Sequence, residues 1–126
     1  MNEEKENIIV QKSYAFALEI IKLYKDLTGK KEYVLSKQIL RSGTSIGANI
    51  HEAVSSESKR DFIHKMGIAL KETIETSYWL NLLKDSEYIN EQTFVSLNAN
   101  CLSLIKILNS IILTTKERYF PNAQNF

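Results

Sequence analysis

Apolar residues return along this chain at intervals of three and four, with polar residues filling the positions between them. From Ser13, the residues Phe16, Ile20, Leu23 and Leu27 recur at helical spacing, with Tyr14, Ala17, Ile21 and Tyr24 as a neighbouring stripe. Thr28-Gly29 supplies a stop, where Gly29 is expected to take the left-handed conformation and Lys30 and Lys31 lie near the negative end of the helix dipole. Ser58, three residues before Asp61, resembles a capping box with Asp in place of Glu. The helix it opens carries Phe62, Met66, Ala69, Thr73 and Leu80 on one side, with Ile63, Leu70 and Ile74 beside them. That pattern fades in "KDSEYIN", where Asn90 can cap a last helix built on Phe94, Leu97, Cys101, Leu104, Leu108 and Ile111 and flanked by Leu102, Ile105 and Ile112. Pro121 lies just past its end.

The remaining segment, "LRSGTSIGANIHEA", has two glycines and reads at first as a phosphate-cradling loop. At about 100° per residue, however, Leu35, Ile39, Ser42, Gly43, Ile46, Ile50, Ala53 and Val54 share one sector of a wheel. Lys37, Arg41, Ser45, Asn49 and Glu52 share the opposite one, so the segment is one amphipathic helix. A phosphate loop would also need its glycines before a helix and a Lys-Ser/Thr pair after them. Each interior glycine costs roughly 1 kcal/mol relative to alanine, and Gly43 and Gly47, four apart on one flank, fit close approach of another helix. Arg41 and Glu52 are three turns apart, too far to pair with each other, and Glu72 and Glu75 on the third helix are natural partners for Arg41.

The pattern predicts an all-α protein: an antiparallel up-down-up-down four-helix bundle with helices near 8–28, 33–56, 59–84 and 91–117, one domain over residues 1–126 with short flexible termini. The wide apolar surface of the last helix suggests burial on two sides, the second being a subunit contact; a central helix in a monomer is the alternative.

Composition narrows the function. The 126 residues, 44% hydrophobic and 25% charged, suit one domain with a full core. A net charge of +1 makes nucleic-acid binding no default, although a local basic patch remains open. A single cysteine, Cys101, excludes an internal disulfide, and the acidic start "MNEEKEN" lacks the features of a secretory signal, so a reducing cytoplasm is expected. No membrane span is expected either, since Lys106 interrupts the most apolar segment. Asp61 and His64 have the i, i+3 spacing of a di-iron ligand pair, but the second pair and the extra glutamates are missing, and no metal or other cofactor is expected. Arg60 and His64, or Arg41 and His51, do not match the Arg-His spacing of all-helical ribonucleases. Cys101 reads as core packing, and "SYW" at Ser77 to Trp79 as core or interface before a base-stacking platform.

The pattern "SKQILRSGTSIGANIHEA", followed by "SKRDFIHKMGIALKETIETSYWL", is similar to the bacterial four-helix bundle proteins called 23S rRNA intervening sequence proteins. The resemblance covers roughly residues 12 to 115. Arg41, Ser45, Ile46, Asn49, Ile50 and Glu52 match the family signature, and Phe62, Ala69, Leu70 and Glu75 its third-helix pattern. The chain departs from many relatives in having Gly47 where they have proline, and "VSSES" where they are basic. The resemblance implies a ring-like homopentamer. Related accessory proteins of diversity-generating retroelements share the architecture and bind a reverse transcriptase and nucleic acid through a basic surface.

The function expected is therefore that of a non-enzymatic homo-oligomeric scaffold or adaptor. The alternative is an RNA- or DNA-binding accessory, with a reverse-transcriptase-like partner, whose basic ring comes from Lys22, Lys25, Lys30, Lys31, Lys37, Lys59 and Arg60. A ribonuclease depending on His51 or His64 ranks third.

Overall fold

Each helix starts and stops where its unpaired backbone groups find partners. The computed structural model describes residues 3–122, which form α1 (Glu3–Gly29), α2 (Leu35–Val54), α3 (Lys59–Asp85) and α4 (Glu91–Tyr119) with no strand among the described residues. Of the flexible termini expected before residue 8 and after residue 117, residues 3–7 and 118–119 are helical, and residues 1–2 and 123–126 lie outside the described range. Ser58 Oγ accepts from the Asp61 amide at 3.0 Å and Asn90 Oδ1 from the Thr93 amide at 2.7 Å, so α3 and α4 begin on the caps expected of them.

The helix ends shift by at most two residues from the sequence reading, except at the start of α1, and the closure of α1 also differs. α1 starts at Glu3, its first turn carrying Glu3, Glu4 and Glu6, which favour the positive end of the helix dipole. Gly29 is not left-handed; Lys31 is, at φ 66°. The chain continues in helical geometry one residue past the glycine, and the Glu32 amide then reaches back to Leu27 O at 2.9 Å while the Lys31 amide reaches Thr28 O at 3.0 Å. This is a Schellman closure with lysine in the position that glycine usually fills. α3 ends the same way, with Glu87 at φ 67° and Tyr88 N bonded to Leu83 O at 2.9 Å.

Side-chain pairs order the helices. Ile20 faces Gly43 and Ser13 faces Gly47 across α1 and α2; Ser42 bonds Thr76 and Glu52 bonds Lys65 across α2 and α3. Ser77 bonds Asn98 and Lys84 lies over Phe94 across α3 and α4, while Lys5 bonds Ser110 and Glu19 bonds Asn100 across α1 and α4. In every couple one number rises as the other falls, which is the mark of antiparallel neighbours. α2 packs most extensively on α3, and the α1–α4 seam is the sparsest.

Phe16, Ile20, Ile39, Ile46, Ile50, Met66, Leu80, Leu104 and Leu108 are fully buried between the helices. Each such side chain is worth roughly 1.5–3 kcal/mol relative to exposure. Buried hydroxyls are satisfied locally: Thr73 and Thr115 donate to the carbonyl four residues back, at 2.8 and 2.7 Å. Parts of the expected apolar faces lie outside the core. Val54, Tyr14, Ile74 and Leu102, all assigned to apolar faces, are exposed by 39, 68, 54 and 58%. A helix in this ring of four meets neighbours over only part of its circumference, so a wide apolar face cannot be buried whole. By length and composition alone, α4 is long and apolar enough to cross a membrane, Lys106 included. Leu97, Cys101, Leu104, Leu108 and Ile111 spend one side of that apolar helix on the bundle core.

Candidate functional site

The polar face of α2 is drawn against α3. Arg41 Nη1 donates to Glu72 at 3.0 and 3.3 Å, and Nη2 to Glu75. Glu75 also accepts from Trp79 Nε1 at 2.9 Å, so one guanidinium, two carboxylates and an indole form a single network. The Trp79 hydrogen bond is the main reason that the Glu75 carboxyl is held below the usual range, with burial opposing and Arg41 assisting. Arg41 is in turn held charged by the Glu75 bond, against a desolvation cost. Tyr78, itself exposed, meets the indole edge-on, centroids 5.1 Å apart.

The other signature residues extend this registration. Ser45 Oγ donates to Arg41 O at 2.6 Å and Asn49 Nδ2 to Ser45 O at 2.9 Å, binding the face to its own helix. Glu52 meets Lys65 Nζ at 2.7 Å, a bond that lowers the Glu52 pKa and raises that of Lys65. Ile46 and Ile50 are wholly buried. Beneath Arg41, Ser42 Oγ and Thr76 Oγ1 lie 2.8 Å apart in the core. Arg41, Glu52 and Glu75 thus fix how α2 lies on α3.

Gly43 and Gly47 face α1. A Cβ at Gly43 would come within 2.8 Å of Ile20 side-chain carbons, whereas one at Gly47 would meet Ser13 Oγ at 3.4 Å.

The seven cationic positions do not converge. Lys30 Nζ donates to Tyr88 O at 3.2 Å and Lys31 closes α1, both at the end of the bundle that holds the start of α2. Lys25 and Lys37 are exposed on the helices leading to that end, while Lys22 lines a cleft of about 370 Å³ together with Glu19 and Asp26. Lys59 and Arg60 begin α3 at the opposite end, stacked over Tyr119 at 4.9 Å and Phe120 at 5.2 Å.

Glu32 escaped the sequence reading. It is buried, and its carboxylate caps α2 by accepting from the amides of Val34, Leu35 and Ser36 at 3.2, 3.1 and 2.6 Å. Burial raises its pKa and is its largest influence, but the amide bonds together outweigh it and the net direction is down. The signal available was an acid shortly before a helix with no Ser, Thr, Asp or Asn at its cap position; Val34 stands there.

A groove of about 860 Å³ between α3 and α4 was also missed. Gly67 opens it, and the clue in the sequence was a glycine in the middle of a helix without a partner glycine. His64 lines this groove; His51 is exposed on α2. Cys101 is buried, and burial pushes its thiol up to about 12, which keeps it protonated. Among the described residues no group of three or more His, Cys, Asp or Glu side chains converges to hold a metal ion.

Comparison with known proteins places this arrangement. No curated protein matches the chain. A crystal structure of a protein of unknown function from the S23 ribosomal protein family of Bacteroides thetaiotaomicron is 53% identical, covers 86% of this chain and 98% of its own, and superimposes with a TM-score of 0.85. Residues 5–110 match the model of the 23S rRNA-intervening sequence proteins. With most of its length matched, the chain belongs to the 23S rRNA-intervening sequence protein family.

Proposed function

We propose that this protein is a non-enzymatic, homo-oligomeric scaffold or adaptor. The observation that carries the reading is on α4, where Val95, Leu102 and Leu113 are exposed by 54, 58 and 59%. Seven and eleven residues apart, they lie along one outward line of the helix, roughly 27 Å long at 1.5 Å per residue. Tyr14 and Leu18 on α1 and Ile74 and Tyr78 on α3 add apolar surface, more than half of each side chain's residue being exposed. Exposed apolar surface on this scale marks contact with a partner. The family resemblance adds the subunit number, five.

The polar signature residues support the scaffold reading because their hydrogen bonds are used inside the bundle, and the protonated, buried Cys101 offers no nucleophile. The nucleic-acid reading has weaker support, since its cations divide between opposite ends of one subunit. Native mass spectrometry at micromolar concentration tests the proposal: a pentamer is expected, and a monomer refutes it. A filter-binding titration showing salt-dependent affinity for RNA or DNA would instead favour the accessory reading.

A further inference from the structure

Gly67 sits deep inside α3, where glycine costs roughly 1 kcal/mol relative to alanine. Gly43 earns its place by admitting Ile20, but a Cβ at Gly67 would meet nothing within 4 Å. The space it leaves open belongs to the α3–α4 groove of about 860 Å³, within the range of roughly 300–1,000 Å³ typical of small-molecule sites.

The lining is cationic at both ends, with Lys71 at the end opposite Arg60, and largely apolar between them. Ile63, Leu70 and Ile112 give apolar walls on either side of Gly67. Arg60, His64 and Lys116 contribute nitrogen donors, and Asp61 is the one carboxylate among the lining residues. Arg60 and His64 lie in the first turns of α3, and Lys116 in the last turns of α4, which reach the same end of the bundle because Arg60 stacks on Phe120. From Arg60 to Lys71, at the other end of the groove, α3 rises roughly 16 Å at 1.5 Å per residue, the length of a medium acyl chain.

We propose that this groove binds an amphipathic organic anion, its acidic head against Arg60, His64 and Lys116 and its apolar body over Gly67 between Ile63, Leu70 and Ile112. Charge-assisted bonds from the guanidinium and ammonium groups select the head, and the walls select a body without polar atoms. The site is independent of the proposed scaffold role.

Isothermal titration of the full-length chain with decanoate, decanol and decyltrimethylammonium tests it. Decanoate is expected to saturate one site per chain, with the neutral and cationic amphiphiles at least about tenfold weaker. Gly67→Leu fills open space, so it should keep the fold and subunit number while weakening decanoate about tenfold or more. Should that variant fail to fold, Arg60→Gln decides: about three- to tenfold weaker decanoate binding with decanol unchanged supports the site. Equal binding of all three amphiphiles, or unchanged decanoate affinity in both variants, overturns it. So does dissociation of an assembled protein by Gly67→Leu without any decanoate binding to the wild type, which would make the groove a contact between copies.

Discussion

The Cγ1 and Cγ2 atoms of Ile20 stand 2.8 Å from the point that a Cβ at Gly43 would occupy. α1 and α2 therefore approach through the missing side chain. Gly43→Ala should destabilise by about 1–3 kcal/mol through overpacking, and Gly43→Leu should lower thermal stability and disturb assembly more than Ser56→Leu. Ile20→Ala should cost less in the Gly43→Ala background than in the wild type, a coupling that a double-mutant cycle by urea denaturation detects. Gly47→Ala, with Ser13 Oγ at 3.4 Å, should be neutral or stabilising by up to about 1 kcal/mol. Identical effects at the two glycines would contradict this account.

Trp79, the single tryptophan, reports on the α2–α3 network through its bond to Glu75. The folded-state pKa of Glu75 is depressed, so its contribution to stability is complete above the unfolded value of about 4.3 and disappears as pH falls through the lower folded value. Indole emission should change across that acid window and stay flat in Glu75→Gln. Arg41→Gln should cost only about 0.5–1 kcal/mol, because half of the Arg41 side chain is exposed and solvent screens the pairs.

Glu32→Ala should cost about 1–2 kcal/mol by freeing three amides at the start of α2. Its carboxyl is also depressed, so Glu32→Gln should flatten the same acid limb of stability rather than the alkaline one. Denaturation midpoints measured between neutral and acid pH check the sign: a variant as acid-sensitive as the wild type would speak against the cap.

Lys31 and Glu87 hold left-handed backbone that glycine adopts without strain. Lys31→Gly and Glu87→Gly should each stabilise by about 1 kcal/mol, read as a higher urea midpoint at unchanged slope. Lower midpoints would show that side-chain contacts at these turns outweigh the backbone term.

The helical period made four helices, the Ser58 and Asn90 caps and the Arg41 partners legible in the sequence, because each depends on spacing within about a turn or on complementary charge. The Schellman closures were less legible. Gly29 looked like the left-handed residue, but the dihedral falls where the reversed hydrogen bonds close, two residues later, and a lysine tolerates it. Glu32 was hidden because it caps from outside the usual position. Which stripe of a wide apolar face stays exposed, as at Tyr14 and Leu102, depends on the direction of neighbouring helices, which no single helix encodes. The α3–α4 groove was hidden for the same reason, since its walls come from segments about forty residues apart.

The sparse α1–α4 seam bears on how the chain reaches this structure. The extensive packing links helices that follow one another directly, and only the first and last must meet across the full chain. Loop-closure entropy is thus low until the final docking, as in helical proteins that fold in milliseconds or less. Hydrogen exchange should find amides of α2 and α3 the slowest, with α1 and α4 parting first along their seam.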